Sequence, residues 1–250
     1  LTEKAPPFRR IFRVHSFDAD ERRRLTPRSL CAFLQEAAGR DADRRGAGMG
    51  HLLERGLAWM LQRLVVEVAT WPAEQDEVTV ATWPIRFGGA AAERAFTVED
   101  GNGGRRARAT SRWAVVDLEA RRAVRLPDFI RAIPVGDGDA EPAMGPTPRM
   151  AEGAPLLLER PLEVRRADLD VVGHANNTRY VEWGLESVPD DWHEAHELAA
   201  FDVLFRREAG RGDVLVSRTH LAAEDSLVHV LHMAPAGEAL ATMGTRWRRR

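Results

Sequence analysis

Apolar residues recur at helical spacing in two stretches of the chain. Leu30, Cys31, Phe33, Leu34, Ala37 and Ala38 follow Thr26-Pro27, which predicts a helix with Thr26 as N-cap and proline in its first turn. Tyr180, Val181, Gly184, Leu185 and Val188 predict a second helix, capped by Asn176 or Asn177 and ended at Pro189. Each helix carries a single apolar stripe, so each needs a sheet to bury it. Alternation supplies the sheets. Val78 to Trp83, Ala95 to Glu99 and Arg105 to Asp117, with a Gly-Asn-Gly-Gly turn at Gly101 to Gly104, predict an antiparallel meander. A second meander is predicted from Leu198 to Arg207, Asp213 to Leu221, Leu227 to Met233 and Leu240 to Trp247, with turns at Gly210 to Gly212 and Pro235 to Gly237.

The two parts repeat one another. Asp18-Ala19-Asp20 before the first helix is echoed by Asp168-Leu169-Asp170 before the second, 150 residues later, the mark of an internal duplication. Between them glycine and proline crowd together with little apolar content. The expected organisation is an N-terminal domain over residues 1–135, a Gly/Pro-rich linker over 136–155 and a C-terminal domain over 156–250. One helix against an antiparallel sheet, twice over, is an α+β arrangement.

Composition narrows the function. At 250 residues, 44% hydrophobic and 30% charged, the chain reads as folded and soluble, and no apolar run reaches the roughly 18 residues of a membrane helix. A cytoplasmic protein without membrane attachment is expected. The formal charge of −2 argues against a nucleic-acid binder. Lys4 is the single lysine, so there is no P-loop. No serine sits in a G-x-S-x-G elbow, and Gly46-Ala47-Gly48-Met49-Gly50 lacks dinucleotide-loop spacing, so no cofactor is expected. The lone Cys31 allows no internal disulfide and reads as a buried core thiol. His193 and His196 stand three apart, where a zinc helix needs four, so no metal is expected.

The segment from Arg165 to Tyr180 packs two carboxylates, an imidazole and two amides into the approach to a helix N-terminus. Free backbone N–H groups and the helix dipole there favour a developing oxyanion, and a histidine near an aspartate can move protons near neutral pH. Local sequence is equally consistent with Asx capping beside a surface histidine.

The string D-L-D-V-V-G-H-A-N-N-T-R-Y-V-E-W-G-L-E-S-V-P, residues 168–189, closely resembles the signature of the acyl-acyl-carrier-protein thioesterases of plants and bacteria. Phe33-Leu34-Gln35-Glu36-Ala37-Ala38, Trp59 through Trp71-Pro72 with Asp76, Ser111-Arg112-Trp113-Ala114-Val115 and Phe205-Arg206-Arg207-Glu208-Ala209 resemble further family segments in order and spacing, from about Phe12 to Ser217. The resemblance implies two tandem hot-dog domains, the first shaping a fatty-acyl pocket and the second catalytic. It implies Asp170, His174 and Glu208 as the catalytic residues, with Glu208 on a strand beside the helix. Two positions depart from the plant pattern: Val172 stands where plant members carry asparagine, and Ala209 follows the glutamate where they carry cysteine. A cysteine nucleophile is therefore absent there, and water is the expected attacker.

The resulting expectation is hydrolysis of fatty acyl-ACP, with Glu208 and His174 activating water, Asp170 orienting the imidazole, and the helix N-terminus at Asn176 and Asn177 steadying the oxyanion. Glu182 and Glu186 read as solvated or inter-domain pairs. Leu30, Phe33, Leu34, Trp59 and Leu61 are candidate acyl-pocket walls, with core packing the equal alternative for each. The expected partner is acyl carrier protein, with Arg44-Arg45, Arg165-Arg166 and Arg206-Arg207 as candidate contacts and an ordinary solvated surface the equal alternative for each pair. A homodimer, an acyl-CoA hydrolase, a non-catalytic acyl-binding module and a hydroxyacyl dehydratase stay open.

Overall fold

The computed structural model describes residues 5–138, 144–235 and 237–250. It divides into two compact units, Leu1–Ala143 and Met144–Arg250.

In the first unit, β1 (Phe8–Arg13) leads through a 3-10 turn to α1 (Pro27–Arg44), then α2 (Met49–Leu53), β2 (Leu57–Val68), β3 (Glu77–Phe87), β4 (Ala91–Asp100), β5 (Arg105–Asp117), β6 (Arg122–Val124) and α3 (Asp128–Arg131). The strands pair antiparallel in the order β1-β3-β4-β5-β2, with β6 on β5. Thr26 caps α1, its side chain accepting from Ser29 N at 3.1 Å, with Pro27 at the first position, as the pattern predicts. Leu30, Cys31, Leu34, Ala37 and Ala38 are buried on one face of α1, which packs on β3 and β1. Each fully buried leucine there contributes about 1.5–3 kcal/mol. Burial pushes the Cys31 thiol up to about 12, so it stays protonated as a core residue. The stripe ends in a charge: Asp41, 2% exposed, accepts from Arg45 Nε and from an Arg94 terminal nitrogen, both at 2.8 Å.

In the second unit, β7 (Leu156–Glu163) precedes α4 (Asn177–Leu185), α5 (Asp190–Ala195), β8 (His196–Phe205), β9 (Val214–Ala223), β10 (Ser226–Met233) and β11 (Ala239–Arg249). The order is β8-β11-β10-β9-β7, again antiparallel. α4 packs on β9, β10 and β11 around Tyr180, Trp183, Leu215, Leu231 and Leu240. Gly184 faces this sheet, with the flexible end of Met243 lying where a Cβ would stand. α4 ends at Leu185, earlier than expected; the Ser187 hydroxyl bonds back to Gly184 O, and Pro189 instead caps α5. Each unit is a helix on a sheet of the hot-dog kind.

A polar chain lies beneath α4. Ser187 Oγ is 2.8 Å from Ser217 Oγ and 2.7 Å from Thr219 Oγ1, and Thr219 Oγ1 is 2.7 Å from His229 Nδ1. His229 Nε2 lies 2.8 Å from Thr245 Oγ1, which accepts from Trp247 Nε1. The register places Thr219 opposite His229, so the hydroxyl reaches the ring directly.

The expected linker is narrower than its composition suggests. Gly136 N donates to Pro84 O and Asp137 N to Ala5 O, which ties its start to the first unit, and Pro155 O accepts from Leu221 N in the second. Residues 139–143 of that linker, and Ala236 of the Pro235 to Gly237 turn, lie outside the described residues. His193 and His196 sit on different elements, and their rings pack on Trp247 and Trp192.

Candidate active site

The loop between β7 and α4 is shaped by carboxylates that accept from backbone N–H groups. Asp168, 1% exposed, accepts from Arg165 N at 2.8 Å and from the Arg165 guanidinium at 3.0 Å, and Arg179 Nε lies 3.3 Å away. Burial alone would raise its carboxyl; the Arg165 hydrogen bonds and the Arg165 and Arg179 charges more than offset that and hold it below the ordinary value. Arg179 also pairs with Glu182 at 2.7 Å, so Glu182 serves this cluster. Asn176 is the N-cap of α4, its Oδ1 accepting from Thr178 N at 2.9 Å, and Asn177 is the first helical residue.

His174 and Glu208 come together at this helix N-terminus. His174 Nδ1 lies 3.3 Å from Glu208 Oε2, within ion-pair reach but not aligned for a hydrogen bond. The side chains are 39% and 50% exposed, while Nδ1 itself is covered, so a ligand can reach the carboxylate and the rest of the ring. Glu208 is not on a strand as expected. β8 ends at Phe205, and the N–H groups of Arg206 and Arg207 both turn to Leu240 O. The loop that follows is tied to α4 and its approach: Ala175 N donates to Ala209 O at 2.8 Å, and Ala209 N donates to the Tyr180 hydroxyl at 2.8 Å. These bonds carry Glu208 to His174.

Asp170 also departs from expectation. Its carboxylate makes neither ion pair nor hydrogen bond with the His174 ring; Oδ1 accepts from Val172 N at 2.9 Å and His174 N at 3.4 Å. Asp170 N donates to His174 O at 2.8 Å, and Gly173 takes a φ of +85° to close the turn. Asp170 therefore fixes the backbone that presents the imidazole.

The first unit contains the same loop without the chemistry. Asp20 Oδ1 accepts from Arg22 N and Arg24 N, both at 2.9 Å; Asp20 N donates to Arg24 O at 2.8 Å; Arg23 takes the positive φ. Arg24 thus stands where His174 does, and Thr26 where Asn176 does. The facing loop repeats too: Ala73 N donates to Asp76 Oδ2 at 2.9 Å as Gly210 N does to Asp213 Oδ2 at 2.8 Å, which puts Trp71 in the place of Glu208.

Of the acyl-pocket candidates, Leu30, Leu34 and Leu61 are buried within the first unit. Trp59 donates from its indole to Ala47 O at 2.8 Å, and Phe33 stacks on Phe12 with ring centroids 4.5 Å apart. All five pack against neighbours inside the unit. Among the arginine pairs, Arg45, Arg165 and Arg207 pair with Asp41, Asp168 and Glu238, and Arg44 lies over the Phe8 ring. Arg166 and Arg206 are exposed and form no ion pair among the described residues.

Comparison with known proteins agrees with this architecture. The model of the acyl-ACP thioesterase N-terminal domain matches residues 6–133, and that of the C-terminal domain matches residues 157–249. The chain is 30% identical, over 96% of its length, to dodecanoyl-[acyl-carrier-protein] hydrolase of Cinnamomum camphora, and spans 67% of that protein. It is 29% identical, again over 96% of its length, to an acyl-[acyl-carrier-protein] hydrolase of Cuphea viscosissima, of which it spans 62%. The solved structure of the 12:0-ACP thioesterase from Umbellularia californica superposes with a TM-score of 0.84 at 28% identity, covering 100% of both chains.

Proposed function

Because this chain belongs to the acyl-ACP thioesterase family, we propose that it hydrolyses the thioester of a fatty acyl group carried on acyl carrier protein, releasing a free fatty acid and the carrier thiol. The observation that carries the reading is the approach of the covered His174 Nδ1 to Oε2 of the half-exposed Glu208, 3.3 Å apart on the approach to the N-terminus of α4. A water held by the exposed Glu208 carboxylate loses a proton to it as the water oxygen bonds to the thioester carbonyl carbon, with the His174 ring behind the carboxylate. The oxyanion faces the N-terminus of α4, where Thr178 N is taken by the Asn176 cap and the Asn177 N–H and carboxamide have no partner among the described residues. Val172 brings no polar side chain to this step. Collapse breaks the C–S bond, and the departing sulfur takes up a proton passed on by His174. Asp170 keeps the loop in the shape that aims the imidazole.

Acyl carrier protein is acidic, and Arg166 and Arg206, which flank the two loops of the site in sequence, suit it by charge. The test is release of free thiol from matched acyl-ACP and acyl-CoA series by wild type, His174→Ala and Glu208→Ala. Turnover that prefers the carrier-protein thioesters and falls at least a hundredfold in both variants is expected. Preference for CoA thioesters would move the assignment to an acyl-CoA hydrolase, and acyl binding without turnover would make the chain a non-catalytic acyl-binding protein.

A further inference from the structure

The two units share one loop scaffold, so the positions at which they differ show what the second loop holds and the first does not. Val14 N donates to Asp76 O and Gln75 N to Val14 O; Val164 N donates to Asp213 O and Gly212 N to Val164 O. Leu25 N donates to Pro72 O at 2.8 Å, as Ala175 N does to Ala209 O at 2.8 Å. In this correspondence Pro72 takes the place of Ala209, and Leu30 takes the place of Tyr180, 150 residues on. Proline has no N–H to satisfy and leucine no hydroxyl to offer. At this position the second unit holds a hydroxyl against its loop and the first holds leucine.

That hydroxyl grips both peptide groups around Glu208. It accepts from Ala209 N at 2.8 Å, in the peptide after Glu208, and donates to Arg207 O at 3.3 Å, in the peptide before it. Tyr180 is itself held, 2% exposed, against Trp183 and Phe205, with ring centroids 5.4 Å and 5.8 Å away. Burial pushes the phenol above its ordinary value, so it keeps the proton it needs to donate on one side while accepting on the other. The Glu208 carboxylate is half exposed and makes no hydrogen bond among the described residues, so its direction depends on its backbone. We propose that Tyr180 is a positioning residue, whose hydroxyl clamps the two peptide groups flanking Glu208 and so aims the carboxylate at His174. This rests on the hydrolase reading above.

Loss of the hydroxyl also leaves the buried N–H of Ala209 unpaired, so some destabilisation follows whatever the role. Ser187→Ala is the control, since it removes a buried, multiply bonded hydroxyl of the same unit outside the site. Ala209→Pro breaks the clamp from the other side without orphaning an amide, in a loop shape that carries proline in the first unit. The experiment measures kcat and KM per folded enzyme, with thermal midpoints, on the acyl-ACP that wild type turns over fastest. A fall in kcat of at least tenfold in Tyr180→Phe, with KM within about threefold and Ser187→Ala close to wild type, is expected. A fall of less than tenfold in Tyr180→Phe, or an equal fall in Ser187→Ala, overturns the clamp. If Tyr180→Phe does not fold, the same threshold applied to Ala209→Pro decides. Absence of wild-type turnover would instead remove the hydrolase reading and the clamp with it.

Discussion

Asp170→Asn separates two roles that a catalytic aspartate can have. If the carboxylate acts through the backbone, as its bonds to Val172 N and His174 N indicate, asparagine can supply the same oxygen acceptor to the same two amides. A hydrogen bond to a charged group contributes about 1.5–3 kcal/mol and a neutral one about 0.5–1.5, so the change weakens each bond by about 1 kcal/mol. The 3.4 Å bond is already long, and the combined loss to the loop is about 1–2 kcal/mol. Were all of the smaller value felt at the reacting groups, kcat/KM would fall about fivefold, since about 1.4 kcal/mol corresponds to tenfold. An aspartate that orients and charges the imidazole behaves differently: in a serine-protease triad its replacement by asparagine lowers kcat by about four orders of magnitude, because the ring takes the wrong tautomer. The assay is steady-state thiol release from acyl-ACP by wild type, Asp170→Asn and Asp170→Ala, with Asp20→Asn as the matched change in the loop that lacks histidine. Asparagine is expected to stay within about tenfold of wild type and alanine to lose more, because it leaves both amides uncapped. A loss of a thousandfold or more in Asp170→Asn, with the fold intact, would refute the backbone role.

Two further outcomes concern stability. Burial holds the His229 imidazole down to about 3, so it is neutral in the native protein while an unfolded chain binds a proton below about 6.5. The unfolded state then carries the extra proton across this window, and stability falls as pH falls from about 6.5 toward 3, by about 1.4 kcal/mol per unit from this residue. Urea midpoints between pH 6.5 and 5 should show that slope in wild type and a flatter one in His229→Gln; equal slopes would assign the effect elsewhere. Asp41→Ala strands Arg45 and Arg94 in the first unit and should cost about 3–5 kcal/mol by denaturant titration, whereas a loss below about 1 kcal/mol would mean the buried arginines find other partners.

Local sequence was enough for the α+β class, the duplication, the Thr26 cap and most strand cores, because periodicity and capping are written within a few residues of where they act, while it left the second cap open between Asn176 and Asn177. The span Arg105–Asp117 agrees to the residue, since glycines on one side and a turn on the other punctuate it. Asp41 was not legible: a charge that continues an apolar stripe becomes sensible only when Arg94 arrives from β4. His229 looked like one more strand residue until the register set Thr219 beside it. Tyr180, the single tyrosine of the chain, read as a member of the helical stripe, and nothing near it in sequence says that its hydroxyl meets a loop 27 to 29 residues away.

The sequence by itself determined which residue types were at hand: an imidazole and an aspartate on the approach to a capped helix, a glutamate on a distant segment, no lysine or cysteine placed for nucleophilic work. The tertiary structure alone decided what each does. Whether a carboxylate faces a ring or a peptide N–H depends on distances of about an ångström, and these are set by strand ends, helix packing and backbone bonds that local composition does not encode. That is why Asp170 belongs to the loop, Glu208 lies beyond its strand, and a core tyrosine holds the glutamate in place.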